Sequence, residues 1–223
     1  MKYNHTVKAI FLNRPNRFIA QVLVDGVEET VHVKNTGRCK ELLLPGVTVI
    51  LERSSNPSRK TKYDLIAVYK KNFGLINIDS QAPNKVALEW LQSQDYNYIK
   101  PEYKYGDSRI DFYMEKEDAR FLMEVKGCTL ELHGVGYFPD APTERGVRHI
   151  RELIKAVHEC YHACLTFVIQ MEGIDHVLPN TATHPTFTTA LNEAIKAGVE
   201  IKYLLCHVKE DELIADTCLT RMN

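Results

Sequence analysis

Two apolar runs joined by a four-residue polar turn constrain the fold of this chain most. The runs are residues 109–114 and 121–127, and this pattern predicts a β-hairpin. Side chains of a strand alternate between its two faces, so one face of the hairpin is expected to be apolar. Asp111, Glu124 and Lys126 share the opposite face. The hairpin therefore predicts a sheet that carries two carboxylates and an ammonium group on one side.

The charge of the chain is unevenly distributed along its length. Residues 1–82 hold 13 Lys and Arg against 7 Asp and Glu, whereas residues 83–223 hold 15 against 22. The whole chain has a net charge of -1, which hides this asymmetry. A basic first third favours a polyanion-binding module beside an acidic, metal-binding one. Ordinary charge fluctuation is the alternative.

The sequence also predicts the cellular compartment of the protein. The residues after Met1 are mixed and polar, so no export signal is expected. No apolar run approaches the roughly 20 residues that cross a bilayer, so no membrane partner is expected. The six cysteines have no framework spacing and are expected to be reduced thiols. A cytoplasmic protein is therefore predicted.

Residues 1–82 are predicted to form an all-β domain. Turn signals such as Asp25-Gly26 and Pro45-Gly46 separate short β-prone runs. The runs are residues 7–12, 18–24, 29–33, 47–51 and 63–69, with one helical turn near 39–44. About five short strands in about 70 residues favour a small barrel of the oligonucleotide-binding (OB) type, and another small barrel stays open.

Residues 83–223 have a different hydrophobic periodicity, which predicts an α/β domain. Apolar spacing of 3.6 residues indicates helices, and apolar runs indicate strands. In order, the pattern gives helix 84–92, strand 99–105, the two hairpin strands, helix 143–162, strand 165–171, helix 185–197 and strand 199–208. The predicted fold class is therefore an α+β two-domain protein, in which an OB-type barrel precedes a domain with an αβββαβ core.

The polar face of the hairpin suits phosphodiester chemistry. Asp111 and Glu124 offer the hard oxygen ligands that Mg²⁺ prefers, and Mn²⁺ is a possible substitute. Lys126 points the same way as Glu124 and can orient a water and offset phosphate charge. The carbonyl of Val125 is a further candidate ligand. The spacing by itself is equally compatible with a solvated polar strand face.

The Asp…Glu-x-Lys motif within an αβββαβ order resembles the PD-(D/E)XK nuclease superfamily. More narrowly, the chain resembles the sugar fermentation stimulation protein A (SfsA) family. The matching blocks are residues 35–38 with 45–46, 108–112, 124–126 and 136–146, followed by His149 and residues 151–153.

The resemblance implies an N-terminal OB barrel, a nuclease-like C-terminal domain and DNA binding, with nuclease activity on DNA or RNA and a link to sugar metabolism. Carried over by position, the catalytic and metal residues are Asp111, Glu124 and Lys126. An upstream carboxylate often assists in the superfamily. Glu89 and Glu102 both qualify, and the sequence does not choose between them.

Basic residues of the first domain are candidates for nucleic-acid binding, because they neutralise phosphate. Arg14, Arg17, Lys34 and Arg38 lie near turns, and Arg59, Lys60 and Lys62 share a loop. Arg145, at the start of the long helix, is a further candidate. A merely solvated surface is the alternative. The aromatic residues Phe11, Phe18 and Tyr63 are expected to pack in the barrel core.

A remote rival is a zinc protease, because His158, Glu159 and His162 match the His-Glu-x-x-His pattern. The leading prediction is a Mg²⁺-dependent nuclease, and the main alternative is a DNA-binding regulator of sugar metabolism with little or no turnover. Strand preference, sequence specificity and oligomeric state are not determined by the sequence.

Overall fold

The turn-separated β-prone runs at the start of the chain form a closed barrel. The computed structural model describes residues 1–35, 37–174 and 176–221, so Thr36 of the family-matching block 35–38 lies outside the described residues. The strands are β1 (Thr6–Asn16), β2 (Ile19–Val24), β3 (Val27–Val33), β4 (Thr48–Arg53), β5 (Tyr63–Lys70) and β6 (Gly74–Asn77).

Five of these strands make the barrel. β1 pairs with β2 and β4, β2 pairs with β3, and β4 pairs with β5, all antiparallel. A parallel pairing of β3 with β5 closes the ring. Ala20, Val22 and Val31 are fully buried inside it, as alternate side chains of closed strands should be. The predicted OB-type barrel is confirmed.

The rest of the chain forms an α/β domain around a six-stranded sheet. Its elements are α1 (Ala82–Gln92), β7 (Tyr98–Tyr105), β8 (Ser108–Lys116), β9 (Ala119–Cys128), β10 (Leu130–Leu132), β11 (Val135–Phe138), α2 (Glu144–His158), β12 (His162–Ile169), β13 (His176–Pro179), α3 (Pro185–Ala197), β14 (Glu200–Val208) and β15 (Leu213–Leu219). The strand order is β15-β14-β12-β9-β8-β7. The predicted αβββαβ order is therefore present.

Helices cover both faces of this sheet. Val86 and Leu91 of α1 pack with the apolar side of the hairpin, which includes Met114 and Met123. On the opposite side, α2 and α3 pack together, and Leu153 of α2 joins the core that contains the hairpin residues Tyr113 and Leu122. The polar face of the hairpin is consequently covered by α2 and is not a solvated surface.

The predicted hairpin pairs as expected. β8 and β9 are antiparallel, with Phe112 opposite Met123 and Met114 opposite Phe121. On the far side of β9, β12 runs parallel to it. The C-terminal ends of β9 and β12 therefore meet at one edge of the sheet.

The predicted helix boundaries are confirmed for α3 and wrong for the end of α2. The apolar stripe predicted a helix to about residue 162, but α2 ends at His158 and Glu159 is its C-cap. Cys160 follows with φ +64°, a left-handed conformation that terminates the helix. No helix in the described ranges has both the length and the apolar character needed to cross a membrane.

The small sheet β10-β11-β13 was not predicted. β11 lies between the hairpin and the helix predicted from residue 143, where no strand was predicted, and it pairs in parallel with β13, some 40 residues later. Such a partner is remote in sequence, so local periodicity does not reveal it.

A buried polar network joins the barrel to the α/β domain. Asn77 Nδ2 donates to the Tyr3 hydroxyl at 2.9 Å, and Gln170 Nε2 donates to Asn77 Oδ1 at 2.9 Å. The start of the chain also pairs with the far end, since the backbone N–H of Tyr3 donates to the Asp211 carbonyl at 2.8 Å. The first residues of the chain therefore contact the α/β domain as well as the barrel.

Candidate active site

Two neighbouring strands bring the hairpin carboxylates together. Asp111 of β8 accepts the backbone N–H of Val125 at Oδ2 over 2.7 Å. Its Oδ1 accepts from the side-chain amide of Asn84, at the start of α1, over 2.8 Å. Each carboxylate oxygen keeps a further lone pair. Asp111 is thus held rigidly from two elements while retaining the capacity to bind a ligand.

Glu124 is the most buried polar group of the cluster, with 1% of its surface exposed. Its Oε1 contacts both the ammonium of Lys126 and Nδ1 of His149. Its Oε2 is buried and has no hydrogen-bond partner among the described residues. A buried carboxylate oxygen without a partner is unfavourable unless something else satisfies it. This oxygen is therefore the atom of the site that most needs a ligand.

The two carboxylates have opposite pKa shifts. Burial and the neighbouring charge of Glu124 raise the pKa of Asp111 above its ordinary value. Burial also opposes ionisation of Glu124, but the hydrogen bond from His149 and the charge of Lys126 outweigh it, so the pKa of Glu124 is lowered. Glu124 is consequently the carboxylate held firmly in its charged form.

His149 is a site residue that the sequence placed only within the family-matching blocks, without a role. It lies on α2, buried over the polar face of the hairpin. Nε of Arg145, one helical turn earlier, lies 3.3 Å from Nε2 of His149. The four-residue spacing of Arg145 and His149 on a predicted helix was the available signal, because such residues share a helix face.

The candidate assisting carboxylates lie elsewhere. Glu89 contacts the N-terminal ammonium of Met1 at 2.6 Å and is 57% exposed. Glu102 is 62% exposed and pairs with Arg109 at 3.5 Å. Neither contacts Asp111 or Glu124 within the described residues. The structure therefore brings Asp111, Glu124 and Lys126 together without either of these two glutamates.

The basic candidates divide into engaged and free groups. Lys34 lies between Glu52 and Asp79, Arg59 forms a two-pronged ion pair with Asp64, and Lys62 pairs with Glu29. The guanidinium of Arg14 donates to four backbone carbonyls, those of Arg17, Asn35, Gly37 and Arg38. These four residues hold the barrel and its loops together.

The remaining basic candidates are exposed. Arg17, Arg38 and Lys60 form no ion pair in the described parts of the chain and project to the surface. Arg145 is also exposed, beside the buried cluster. Of the aromatic residues, Phe11 is in the core as predicted, but Phe18 is 51% exposed. Its prediction as a core residue was wrong, because it lies in the turn between β1 and β2 rather than inside the barrel.

The zinc-protease pattern does not form a metal site. His158 is the last residue of α2 and His162 the first of β12, so the two imidazoles do not share a helix face. Glu159 instead accepts the hydroxyl of Tyr105 at 2.7 Å, and His162 stacks on Phe121 with ring centroids 4.8 Å apart. This rival prediction was wrong because the helix ends four residues early.

The fold and site together define a class: two-domain proteins in which an OB-type barrel precedes an α/β domain with a buried carboxylate–lysine–histidine cluster. Comparison with known protein families gives a match to each of the two domains. Residues 12–78 match the model of the SfsA N-terminal OB domain, and residues 81–212 match that of the sugar fermentation stimulation protein RE domain. The chain belongs to the sugar fermentation stimulation protein A family.

Relatives support this membership over nearly the full chain. A sugar fermentation stimulation protein homolog of Desulfitobacterium hafniense (strain Y51) is 53% identical over 223 residues, covering 99% of this chain and 97% of the relative. A homolog from Ruminiclostridium cellulolyticum is 50% identical and covers 94% of each chain. The solved structure of Pyrococcus furiosus SfsA has a TM-score of 0.86 and 29% identity, and covers 98% of this chain and 96% of that one.

Proposed function

We propose that this chain hydrolyses phosphodiester bonds of nucleic acid in a reaction that depends on a divalent metal ion. The observation that carries the proposal is the buried, unpartnered Oε2 of Glu124, which no described residue satisfies, next to Asp111 and Lys126. Burying a carboxylate oxygen without a donor is unfavourable, whereas a bound cation would satisfy it. The site is thus suited to a cation that arrives with the substrate.

The available oxygen ligands suit Mg²⁺ or Mn²⁺ better than they suit a metal that is coordinated only by protein side chains. Asp111 and Glu124 would hold the ion, with the carbonyl of Val125 as a further ligand. No group of three His, Cys, Asp or Glu residues within the described segments is arranged to hold a metal. Mg²⁺ commonly binds one or two carboxylates and completes its shell with waters and substrate phosphates. When bound, it supplies Lewis-acid polarisation of the phosphate and a more acidic water.

The protein's own side chains supply the remaining functions. Lys126, whose side chain is 16% exposed, offsets developing negative charge on the phosphate. Asn84 fixes Asp111, and His149 fixes Glu124, so neither carboxylate has to reorganise during the reaction. The terminal nitrogens of Arg145 form no hydrogen bond with the described residues, and they are available to a phosphate oxygen.

The metal proposal has support from a relative. The solved Pyrococcus furiosus SfsA structure is of the protein in complex with Ca²⁺. Ca²⁺ and Mg²⁺ are both hard cations that take oxygen ligands. The αβββαβ core and the Asp…Glu-x-Lys placement on its hairpin also resemble the nuclease-like domains of the PD-(D/E)XK superfamily.

We also propose a cytoplasmic setting for this activity. All six cysteines, which lie in the described parts of the chain, are free thiols. Burial raises the pKa of five of them, Cys39, Cys128, Cys164, Cys206 and Cys218, so they are poorly reactive. A reducing compartment is where such thiols are ordinarily found.

A second candidate function is nucleic-acid binding without turnover, in a regulator of sugar metabolism. One observation favours it. Oε1 of Glu124 is already partnered by the ammonium of Lys126 and by His149, so part of the negative charge of the cluster is offset without a metal. A binder that retained the fold alone would keep such a balanced cluster.

Cleavage assays decide between the two functions. The purified chain is incubated with single- and double-stranded DNA and RNA in Mg²⁺, Mn²⁺ or EDTA. Wild type should cleave at least one substrate in a metal-dependent manner, and Asp111→Asn and Glu124→Gln should be inactive. Asp118→Asn, which changes an exposed carboxylate at the tip of the same hairpin, is the matched control and should retain activity. Equal cleavage by all four proteins would indicate a contaminant, and retained binding without any cleavage would favour the regulator.

A further inference from the structure

Two adjoining cavities lie between the barrel and the α/β domain. One has a volume of about 330 Å³ and the other of about 590 Å³. Both are lined by Gly37 of the barrel and by Ala141 and Pro142 of the loop before α2. The shared wall makes them two parts of one cleft, in the size range of ligand sites. We call them the polar cavity (the smaller) and the basic cavity (the larger).

The basic cavity gathers positive charge. Its lining includes Arg14, Arg17, Arg38 and Lys40, and no Asp or Glu among the residues described. Arg14 is engaged with backbone carbonyls and shapes the wall. Arg17, Arg38 and Lys40 are exposed and form no ion pair with described residues. Lys40 was not singled out from the sequence. A row of uncompensated cations in a cleft attracts a phosphate backbone.

The polar cavity has the opposite character, because acceptors face it. Gln170 is 1% exposed and lines this cavity. Its amide nitrogen donates to Asn77 and to the carbonyl of Asp79, while its Oε1 has no hydrogen bond with the described residues. Asp140 adds a carboxylate, and the described lining holds no Lys or Arg. An unpaired acceptor at the wall of a cavity favours a ligand that brings a hydrogen-bond donor.

The space in front of Gln170 depends on a glycine. A Cβ at Gly127 would lie 2.3 Å from Gln170 Oε1 and 2.7 Å from Pro83 Cγ. The absence of a side chain at Gly127 therefore lets Gln170 and Pro83 pack directly against β9 at the wall of the cavity. Tyr137 and Phe138 provide aromatic surface on its wall. Flat, donor-bearing groups such as nucleobases suit a cavity of this chemistry.

The polar cavity adjoins the candidate active site. Gly127 directly follows Lys126 on β9. Pro83, which also lines the cavity, directly precedes Asn84, the residue that donates to Asp111. A base in the cavity would therefore lie beside residues that are the chain neighbours of Lys126 and Asn84.

We propose that the cleft binds single-stranded nucleic acid. Its phosphates contact Arg17, Arg38 and Lys40, and one unstacked base enters the polar cavity with a donor toward Gln170 Oε1. The exposed ring of Phe18, next to Arg17, is a stacking platform at the entrance. A single strand presents such a base freely, whereas a duplex must first unpair it. The inference rests on the proposed function and names its substrate class.

Binding is measured in EDTA, so that no hydrolysis occurs. The probe is a fluorescein-labelled oligonucleotide of about 12 nucleotides, within the site size of OB-type domains, alone or as a duplex. Wild type should bind the single strand at least about 10-fold more tightly than the duplex. R17E/R38E/K40E should weaken single-strand binding about 100-fold and reduce the salt slope by about 2, since each phosphate contact contributes about 0.7.

The matched control is K71E/K104E/K196E, which reverses three exposed lysines that line neither cavity and form no ion pair with described residues. It should stay within about 3-fold of wild type, because a distant charge is screened. An equal loss in both triple variants, or a duplex that binds as tightly as the single strand, would overturn the proposal.

The base pocket has its own test. Wild type should bind the normal strand about 10-fold more tightly than an abasic strand of the same length. Ala141→Trp, on the shared wall, should remove this difference by filling the passage, and Pro142→Trp should do so from an exposed position if the first variant folds poorly. An unchanged preference in folded variants contradicts the base pocket. If wild type binds the single strand but cleaves no substrate, the proposed function is refuted and this inference still stands.

Discussion

Nε of Arg145 lies 3.3 Å from Nε2 of His149, and Nδ1 of the same imidazole contacts Oε1 of Glu124. An arginine Nε can only donate, so Nε2 of His149 is the acceptor and its proton is on Nδ1. His149 therefore donates from Nδ1 to Oε1 of Glu124. A helix that covers the hairpin thus orients a carboxylate on the hairpin, and α2 has a positioning role as well as a packing one.

His149 should act as a positioning residue. Replacing it by Leu removes the donor to Glu124, and we expect divalent-metal affinity and cleavage to fall about 10- to 100-fold, as for other residues that orient metal ligands. His149→Asn retains a donor near the position of Nδ1 and should recover most of the affinity. Isothermal titration with Mn²⁺ checks both variants. Equal affinity in the Leu and Asn variants would contradict the role.

Lys126 should matter for the reaction more than for binding. Lys126→Met removes the charge beside the phosphate and leaves Glu124 partnered by His149, so the fold should persist. We expect kcat to fall about 100-fold or more, with KM changed by less than about 3-fold. Steady-state kinetics on the preferred substrate give both values. A rise in KM with an unchanged kcat would instead assign Lys126 to substrate binding.

The barrel should lose stability in acid through Asp64. Burial tends to raise the pKa of Asp64, but hydrogen bonds from Arg59 and His32 outweigh it and lower the pKa. A depressed folded-state pKa contributes stability that is present above the unfolded value of about 3.9 and is lost as pH falls through the folded value. Asp64→Asn should therefore destabilise the protein by about 2–3 kcal/mol near neutral pH.

Denaturant unfolding at several pH values measures this difference. The gap in the free energy of unfolding between wild type and Asp64→Asn should shrink below about pH 4, where the carboxylate takes up a proton in the unfolded chain while it is still charged in the folded protein. A gap that stays constant down to about pH 2 would show that the ion pair does not set the acid limit of the barrel.

Tyr3 should stabilise the junction between the two domains. Its hydroxyl accepts from Asn77 and donates to Asp79 at 3.2 Å, and the ring is buried. Tyr3→Phe leaves two buried polar groups short of a partner, so we expect a loss of about 1–3 kcal/mol. Tyr98→Phe, at a 47% exposed position, is the matched control and should change stability by less than about 0.5 kcal/mol. Urea unfolding followed by circular dichroism compares the two.

The hairpin shows which structural features the local sequence pattern can predict. Alternation placed Asp111, Glu124 and Lys126 on one face, and β8 and β9 pair in the register that this requires. Pro185 and Gly198 also predicted the start and the end of α3. The end of α2 was missed, since the apolar stripe continues past the point where Cys160 turns left-handed. Periodicity describes which residues can pack, and it does not record where the backbone turns away.

The sequence by itself determined the two-domain architecture and the residues that share the polar face of the hairpin. Both follow from spacing over a few residues, which sets side-chain direction. Only the tertiary structure decided that α2 covers this face, that His149 contacts Glu124, and that Gln170 faces the cleft beside Gly127. These relationships join residues 25 or more positions apart in the chain. Their burial and hydrogen bonding depend on how whole elements pack, which no local spacing encodes.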